Sequence, residues 1–223
     1  MPKSKGTNPV YSLAEELMSS ISHGVGTLLA VAALVVGVVM AAIYSDAWCI
    51  VSMAIYGGTL VILYSMSTIY HGLKQNKGKR VFRVLDHCSI FLLIAGTYTP
   101  LTLVSLRGVI GWILFGIVWG AAILGITLNA ISLQRFKIFS MICYIAMGWV
   151  IVLAFKPLLD VMNTGGIVLL ITGGVAYTVG AILYGIGKRV KYMHSIFHFF
   201  VLAGSILHYF CILFYVIPVI HQM

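Results

Sequence analysis

Near its C-terminus the chain reads HSIFH, residues 194–198, where a long apolar run begins. His194 and His198 stand four residues apart, about 400° around a helix, so on an α-helix they share one face. Two imidazoles in that arrangement can grip one metal ion, as on the zinc-binding helix of metalloproteases. A third histidine from a neighbouring helix would complete three protein ligands and leave the fourth position for water. That is the pattern of a catalytic zinc, whereas a structural site is closed by four protein ligands. Zinc suits imidazole in a tetrahedral site; on ligand type alone, iron and copper stay open.

The elements that must position these residues follow from composition. The chain of 223 residues is 61% hydrophobic and 9% charged, with a mean hydropathy of +1.06. A soluble domain carries about a quarter charged residues, and here the few charges cluster between apolar runs long enough to span a bilayer core, about 20 residues each. The pattern predicts an all-α, polytopic membrane protein, a seven-transmembrane-helix bundle forming one domain over 1–223. The spans are read at roughly 24–44, 49–71, 86–105, 108–131, 138–155, 164–186 and 195–217. Residues 1–23 form a tail, in which 8–22 could make a short amphipathic helix from Val10, Leu13, Leu17 and Ile21, spaced three or four apart.

Basic residues set the orientation. Lys3 and Lys5 lie in the tail, Lys74, Lys77, Lys79, Arg80 and Arg83 in the second loop, Arg135 and Lys137 in the fourth, and Lys188, Arg189 and Lys191 in the sixth. Of the 14 basic residues, Arg107 and Lys156 alone fall in the other loops. The positive-inside rule then predicts a cytoplasmic N-terminus and an outside C-terminus, with the chain in the plasma or inner membrane. The net charge of +9 therefore reads as topology, with anionic-lipid contact as a secondary role. With no basic stripe interleaved with aromatics, nucleic acid is not expected as a partner; membrane lipids are. Cys49, Cys88, Cys143 and Cys211 are far apart and show no metal-binding spacing, so neither a disulfide framework nor a cysteine zinc site is expected. No apolar stretch with a cleavage site opens the chain, so no cleaved signal peptide is expected.

Ionisable groups inside spans are costly and mark function by default. On this topology His71 ends span two, Asp86 opens span three, and His194 and His198 open span seven, all at the cytoplasmic face. Ser67 lies one turn deeper than His71 on the same helix face. Asp86 could act beside the metal, as a base toward bound water or as a direct ligand, and could equally be an N-cap. Ser67 could hydrogen-bond water or a substrate carbonyl, or return its bond to the backbone. His208 lies ten residues past His198, about 15 Å deeper and turned away, and is not expected at the same metal. His87, His208 and His221 are read as interfacial or capping residues. His23, Glu15 and Glu16 could cap, bind the basic loops or line the mouth of the site; structure is favoured over chemistry there.

The segments SMSTIYH (65–71), LDHCSIFLLIAGTYTPLTL (85–103), HSIFHFFVLAGSILHYF (194–210) and EELMSSISHGVG (15–26) resemble the hemolysin III family. That family is the microbial branch of the progestin and adiponectin receptor superfamily. The resemblance implies a seven-span bundle and one Zn2+ held by His71, His194 and His198, with Asp86 contacting the zinc-bound water and Ser67 matching the family's serine. The superfamily's likeness to alkaline ceramidases implies a metal-dependent hydrolase acting on a lipid amide or ester. A receptor or membrane-homeostasis sensor with a structural zinc is the alternative. A transporter is disfavoured because midplane charges are absent. The cytolytic activity in the family's name finds no support in the sequence.

Overall fold

A computed structural model describes residues 11–187 and 189–217, and among these every regular element is helical. The elements are α1 (Leu13–Tyr44), α2 (Ala47–Gly72), α3 (Lys77–Pro100), a π-helical turn (Leu101–Ser105), α4 (Val109–Trp149), a 3-10 turn (Val150–Ala154), α5 (Phe155–Val161), α6 (Thr164–Ile186) and α7 (Met193–Tyr215). Six stretches among the described residues are long and apolar enough to cross a membrane. The part of the expected amphipathic helix at 8–10, and His221, lie outside the described residues.

Helix starts differ from the sequence reading at two places that matter. α1 begins at Leu13 and runs unbroken to Tyr44, so the expected amphipathic helix is the first turns of the spanning helix. Its start is set by a capping box: the Ser12 hydroxyl accepts from Glu15 N–H while the Glu15 carboxylate accepts from Ser12 N–H. α3 begins at Lys77, capped by Asn76, whose side-chain oxygen accepts from Lys79 N–H at 2.8 Å. Asp86 is therefore well inside α3. It neither opens the helix nor caps it, because the basic stretch at 77–83 continues the helix beyond its apolar part.

The fourth membrane-capable stretch, Val109–Val161, is 53 residues long. As one rod it would reach about 80 Å, more than twice a hydrocarbon core of about 30 Å. The rod is broken. Ser132 has φ −163° and ψ 95°, and Ser140 Oγ donates to Asn129 Oδ1 at 2.6 Å. On a straight helix those two residues would be about 16 Å apart, so the chain folds back at Ser132. The break falls between the two spans read from sequence at 108–131 and 138–155.

α1 packs on α2 and α7, α2 on α3, α3 on α4, and α4 and α7 on α6, closing a ring of helices. The outward faces of the ring carry apolar side chains such as Leu28, Ile113 and Val168, all exposed. Small residues set the closest approaches. A Cβ added at Gly57 would lie 2.8 Å from Leu34 Cα, so α2 can touch α1 there only without a side chain. Gly57→Ala is expected to destabilise the bundle by about 1–3 kcal/mol through overpacking, read as a lower unfolding midpoint in detergent.

At the turn between α1 and α2, Asp46 caps α2 by accepting from Cys49 N–H at 3.0 Å and from the Arg107 guanidinium at 2.6 Å. The Arg107 hydrogen bond, then the cap, hold its carboxyl below the usual aspartate range. Both partners of the ion pair are about half exposed, so the cap outweighs the pair. Asp46→Ala should cost about 1 kcal/mol at neutral pH. Because the folded-state pKa is the lowered one, that difference is complete above an unfolded aspartate's pKa of about 3.9 and fades as pH falls through the folded value. Unfolding of both proteins at stepped pH checks it.

Candidate metal centre

The last turn of α2, the first turns of α7 and the first turns of α1 meet at one end of the bundle. His71 sits one residue before α2 ends. α7 starts at Met193, so His194 and His198 occupy its first two turns and, as the i, i+4 spacing requires, one face. All three imidazoles are buried. His194 Nε2 lies 3.4 Å from His71 Nε2 and 3.2 Å from His198 Nε2. Among the described residues, one ligand atom from each of the three can be drawn within 4.8 Å of one another, a group able to hold a metal ion.

The donor set fits a cation better than a hydrogen-bonded cluster. Nitrogens bound to one tetrahedral ion at about 2.0–2.1 Å sit about 3.3 Å from each other, the spacing His194 Nε2 keeps to both of the others. The His71 Nδ1 lies 2.7 Å from the Glu16 carboxylate, which accepts its proton; in the neutral ring Nε2 is then the lone-pair nitrogen, and it faces the other two imidazoles. His194 Nδ1 and His198 Nδ1 are buried with no hydrogen-bond partner among the described residues. Leaving such groups unpaired costs about 1–3 kcal/mol each. That cost is offset if the Nε2 atoms gain more than hydrogen bonds to one another.

The site opens on a cavity of about 500 Å3 lined by His194, His198, Ser67, Asp86 and His23, with apolar walls including Leu63 and Val201. Ser67 is buried on α2, one turn before His71. The Asp86 carboxylate, from α3, approaches His87 Nδ1 at 3.4 Å. Four of the five residues singled out from sequence thus line this cavity, and His71 closes the metal cluster beside it. His208 stands apart, its Nε2–H donating to Leu170 carbonyl at 3.0 Å, as its spacing from His198 requires. His87 is held by the Arg83 carbonyl at 2.9 Å and by Tyr184.

The sequence reading undervalues α1. Glu16 accepts from His71 Nδ1 and from Lys79 Nζ, each at 2.7 Å. Tyr11 stacks on His194 at 4.3 Å between ring centroids. His23 packs at 4.0 Å on the His198 ring and donates through Nε2 to the His198 carbonyl at 3.3 Å. Glu15 accepts from Tyr192 N–H at 2.7 Å, tying α1 to the start of α7. The available signal was a stripe: Glu16, Ser19, Ser20 and His23 recur at three- and four-residue steps on one face of an otherwise apolar helix.

The fold and the site define an all-helical, multi-pass membrane protein with a buried three-histidine cluster joining its second and last helices. The chain belongs to the family described as "Haemolysin-III related", which it matches over residues 11–209. It is 41% identical to "Hemolysin-3" of Bacillus cereus, over 96% of this chain and 97% of that one. It is also 41% identical to "Hemolysin-3 homolog" of Bacillus subtilis (strain 168), over 94% and 98%. Similarity reaches "Monocyte to macrophage differentiation factor" of Homo sapiens, 26% identical over 82% of this chain and 78% of that one, in keeping with the superfamily the motifs resemble. No solved structure matches the chain.

His71→Ala, and separately His194→Ala with His198→Ala, should abolish metal retained by the detergent-purified protein, while His208→Ala retains it. Elemental analysis of the four proteins is the check.

Proposed function

We propose that this chain is a seven-span membrane hydrolase that holds one Zn2+ at His71, His194 and His198 and cleaves a lipid amide or ester. The observation that carries the proposal is the convergence of three buried Nε2 atoms beside a largely apolar cavity that Asp86 and Ser67 also line. The chain forms one domain. Counting the two halves of the stretch broken at Ser132 gives seven passes. With the basic segments inside, the N-terminus and the metal site lie at the cytoplasmic face of the plasma or inner membrane.

Zinc in this site would supply Lewis acidity, polarising a carbonyl and acidifying water toward neutrality. The rest is the work of the chain. The Asp86 carboxylate accepts a proton from the attacking water and returns it to the leaving nitrogen or oxygen. The Ser67 hydroxyl donates a hydrogen bond to the substrate carbonyl as charge develops on it. Leu63, Ile90, Leu93, Ile94 and Val201 wall the cavity and hold an acyl chain out of water. Enclosure strengthens every one of these polar contacts because the surroundings are of low dielectric.

A second reading has its own support. The three histidines lie on α2 and α7, both of which pack on α1, so a metal there would also pin the ring shut. A receptor or homeostasis sensor with a structural zinc would use the site in that way.

The two readings separate with purified protein offered ceramide-like and other acyl substrates. On the hydrolase reading, wild type releases product, a chelator stops it, and Asp86→Asn or Ser67→Ala lowers the rate by 100-fold or more, on the scale of about 10²–10⁴ for general acid–base and oxyanion groups, while zinc content stays. No metal-dependent product from any substrate, together with a lower unfolding midpoint in chelator, establishes the structural reading instead.

A further inference from the structure

Each metal-facing histidine is held by a residue near the start of α1: His194 by the ring of Tyr11, His198 by His23, and His71 by Glu16. Of these, Glu16 makes a contact with a chemical consequence. Its two carboxylate oxygens are divided. Oε2 lies 2.7 Å from His71 Nδ1, and Oε1 takes a 2.7 Å hydrogen bond from Lys79 Nζ. Lys79 is itself buried and donates also to the Leu73 carbonyl at 2.9 Å. A buried lysine needs a paired anion. Lys79 therefore occupies one Glu16 oxygen, and the other faces His71 Nδ1 as its acceptor.

We propose that Glu16 is the positioning residue of the metal centre: by accepting the Nδ1 proton of His71 it fixes the ring's tautomer and orientation so that Nε2 meets the Nε2 atoms of His194 and His198. This rests on the metal-centre reading above. A carboxylate behind a ligating imidazole also raises the basicity of the coordinating nitrogen. The asymmetry within the site supports the assignment. His71 is the ligand that comes from a different helix, and its ring has no i, i+4 neighbour to fix its direction. His194 and His198 share a helix face and leave their Nδ1 atoms without partners among the described residues; there, His71 is the one of the three whose Nδ1 is engaged. Lys79 makes the arrangement a relay of three elements, from the start of α3 through α1 to the end of α2.

The experiment measures Zn2+ affinity by chelator competition on detergent-purified, metal-stripped wild type, Glu16→Ala, Glu16→Gln and His71→Ala. It also records the unfolding midpoint of each with and without Zn2+. Loss of a residue supporting a metal-bound histidine costs about 10–100-fold in affinity. Glu16→Ala should weaken Zn2+ by that factor, and Glu16→Gln, which keeps an acceptor without the charge, by less. The stabilisation that Zn2+ adds should shrink in both while the metal-free midpoints stay near wild type. A general packing role would lower the metal-free midpoint and leave the Zn2+ increment alone, and that outcome overturns the assignment. Equal affinity of wild type and both Glu16 variants, with His71→Ala unable to bind, overturns it too and leaves the metal centre standing. Failure of wild type itself to bind Zn2+ overturns both. Should Glu16→Ala not fold, Glu16→Gln alone carries the comparison.

Discussion

Three imidazole nitrogens brought within 4.8 Å of each other, with His194 in hydrogen-bond range of both others, inside an apolar bundle, are the constraint around which this end of the molecule is organised. Nitrogen lone pairs do not attract one another. Burial removes the water that would otherwise separate them, and it leaves two Nδ1 atoms unpaired among the described residues. A shared cation reverses the sign of that arrangement, because each lone pair then has the same positive partner. The neighbours of the three rings become intelligible on that basis: an aromatic ring over His194, a carboxylate behind His71, the tilted ring of His23 against His198.

The packing around the site explains how the constraint is met in a chain of this composition. Few polar groups are available, so each does more than one thing. Glu15 closes a capping box on its own helix and also receives the backbone N–H that starts α7. Ser195 donates to the Glu15 carbonyl and also meets Ser19. Because α1 carries these contacts, its first turns are a wall of the site and not a detached surface helix. Farther along the bundle the spaces between helices are set by glycines, and the cavity that begins at His194 and His198 extends between helices that small residues hold close without filling the middle.

Family membership and chemistry have different foundations in this chain. Membership follows from similarity over nearly the whole chain. The chemistry rests on the site, since one fold can host unrelated functions. The apolar walls, the carboxylate of Asp86 and the hydroxyl of Ser67 give the cavity the parts that hydrolysis of an acyl substrate would need. The same histidines, by bridging α2 and α7, would serve a sensor equally well. An ion held by three histidines with an open fourth position would suit hydrolysis, and one closed by a fourth protein ligand would suit a structural role.

The helical, membrane-spanning class and the helix face shared by His194 and His198 were legible in the sequence because they depend on local quantities: apolar run length, charge placement and the 3.6-residue period. The separation of His208 followed from the same arithmetic. Helix starts at Leu13 and Lys77 were less legible, since a polar or basic first turn looks like loop until a cap such as Ser12 or Asn76 is seen engaged. The fold-back at Ser132 was visible as a gap between apolar runs, but the reversal itself is shown by Asn129 and Ser140 touching. What only the tertiary structure decided is which polar residues meet. Glu16 and His71 are 55 positions apart and His71 and His194 are 123 apart. No period along a chain encodes contacts at those separations; they exist because helices pack into a ring that places the start of α1 against both α2 and α7.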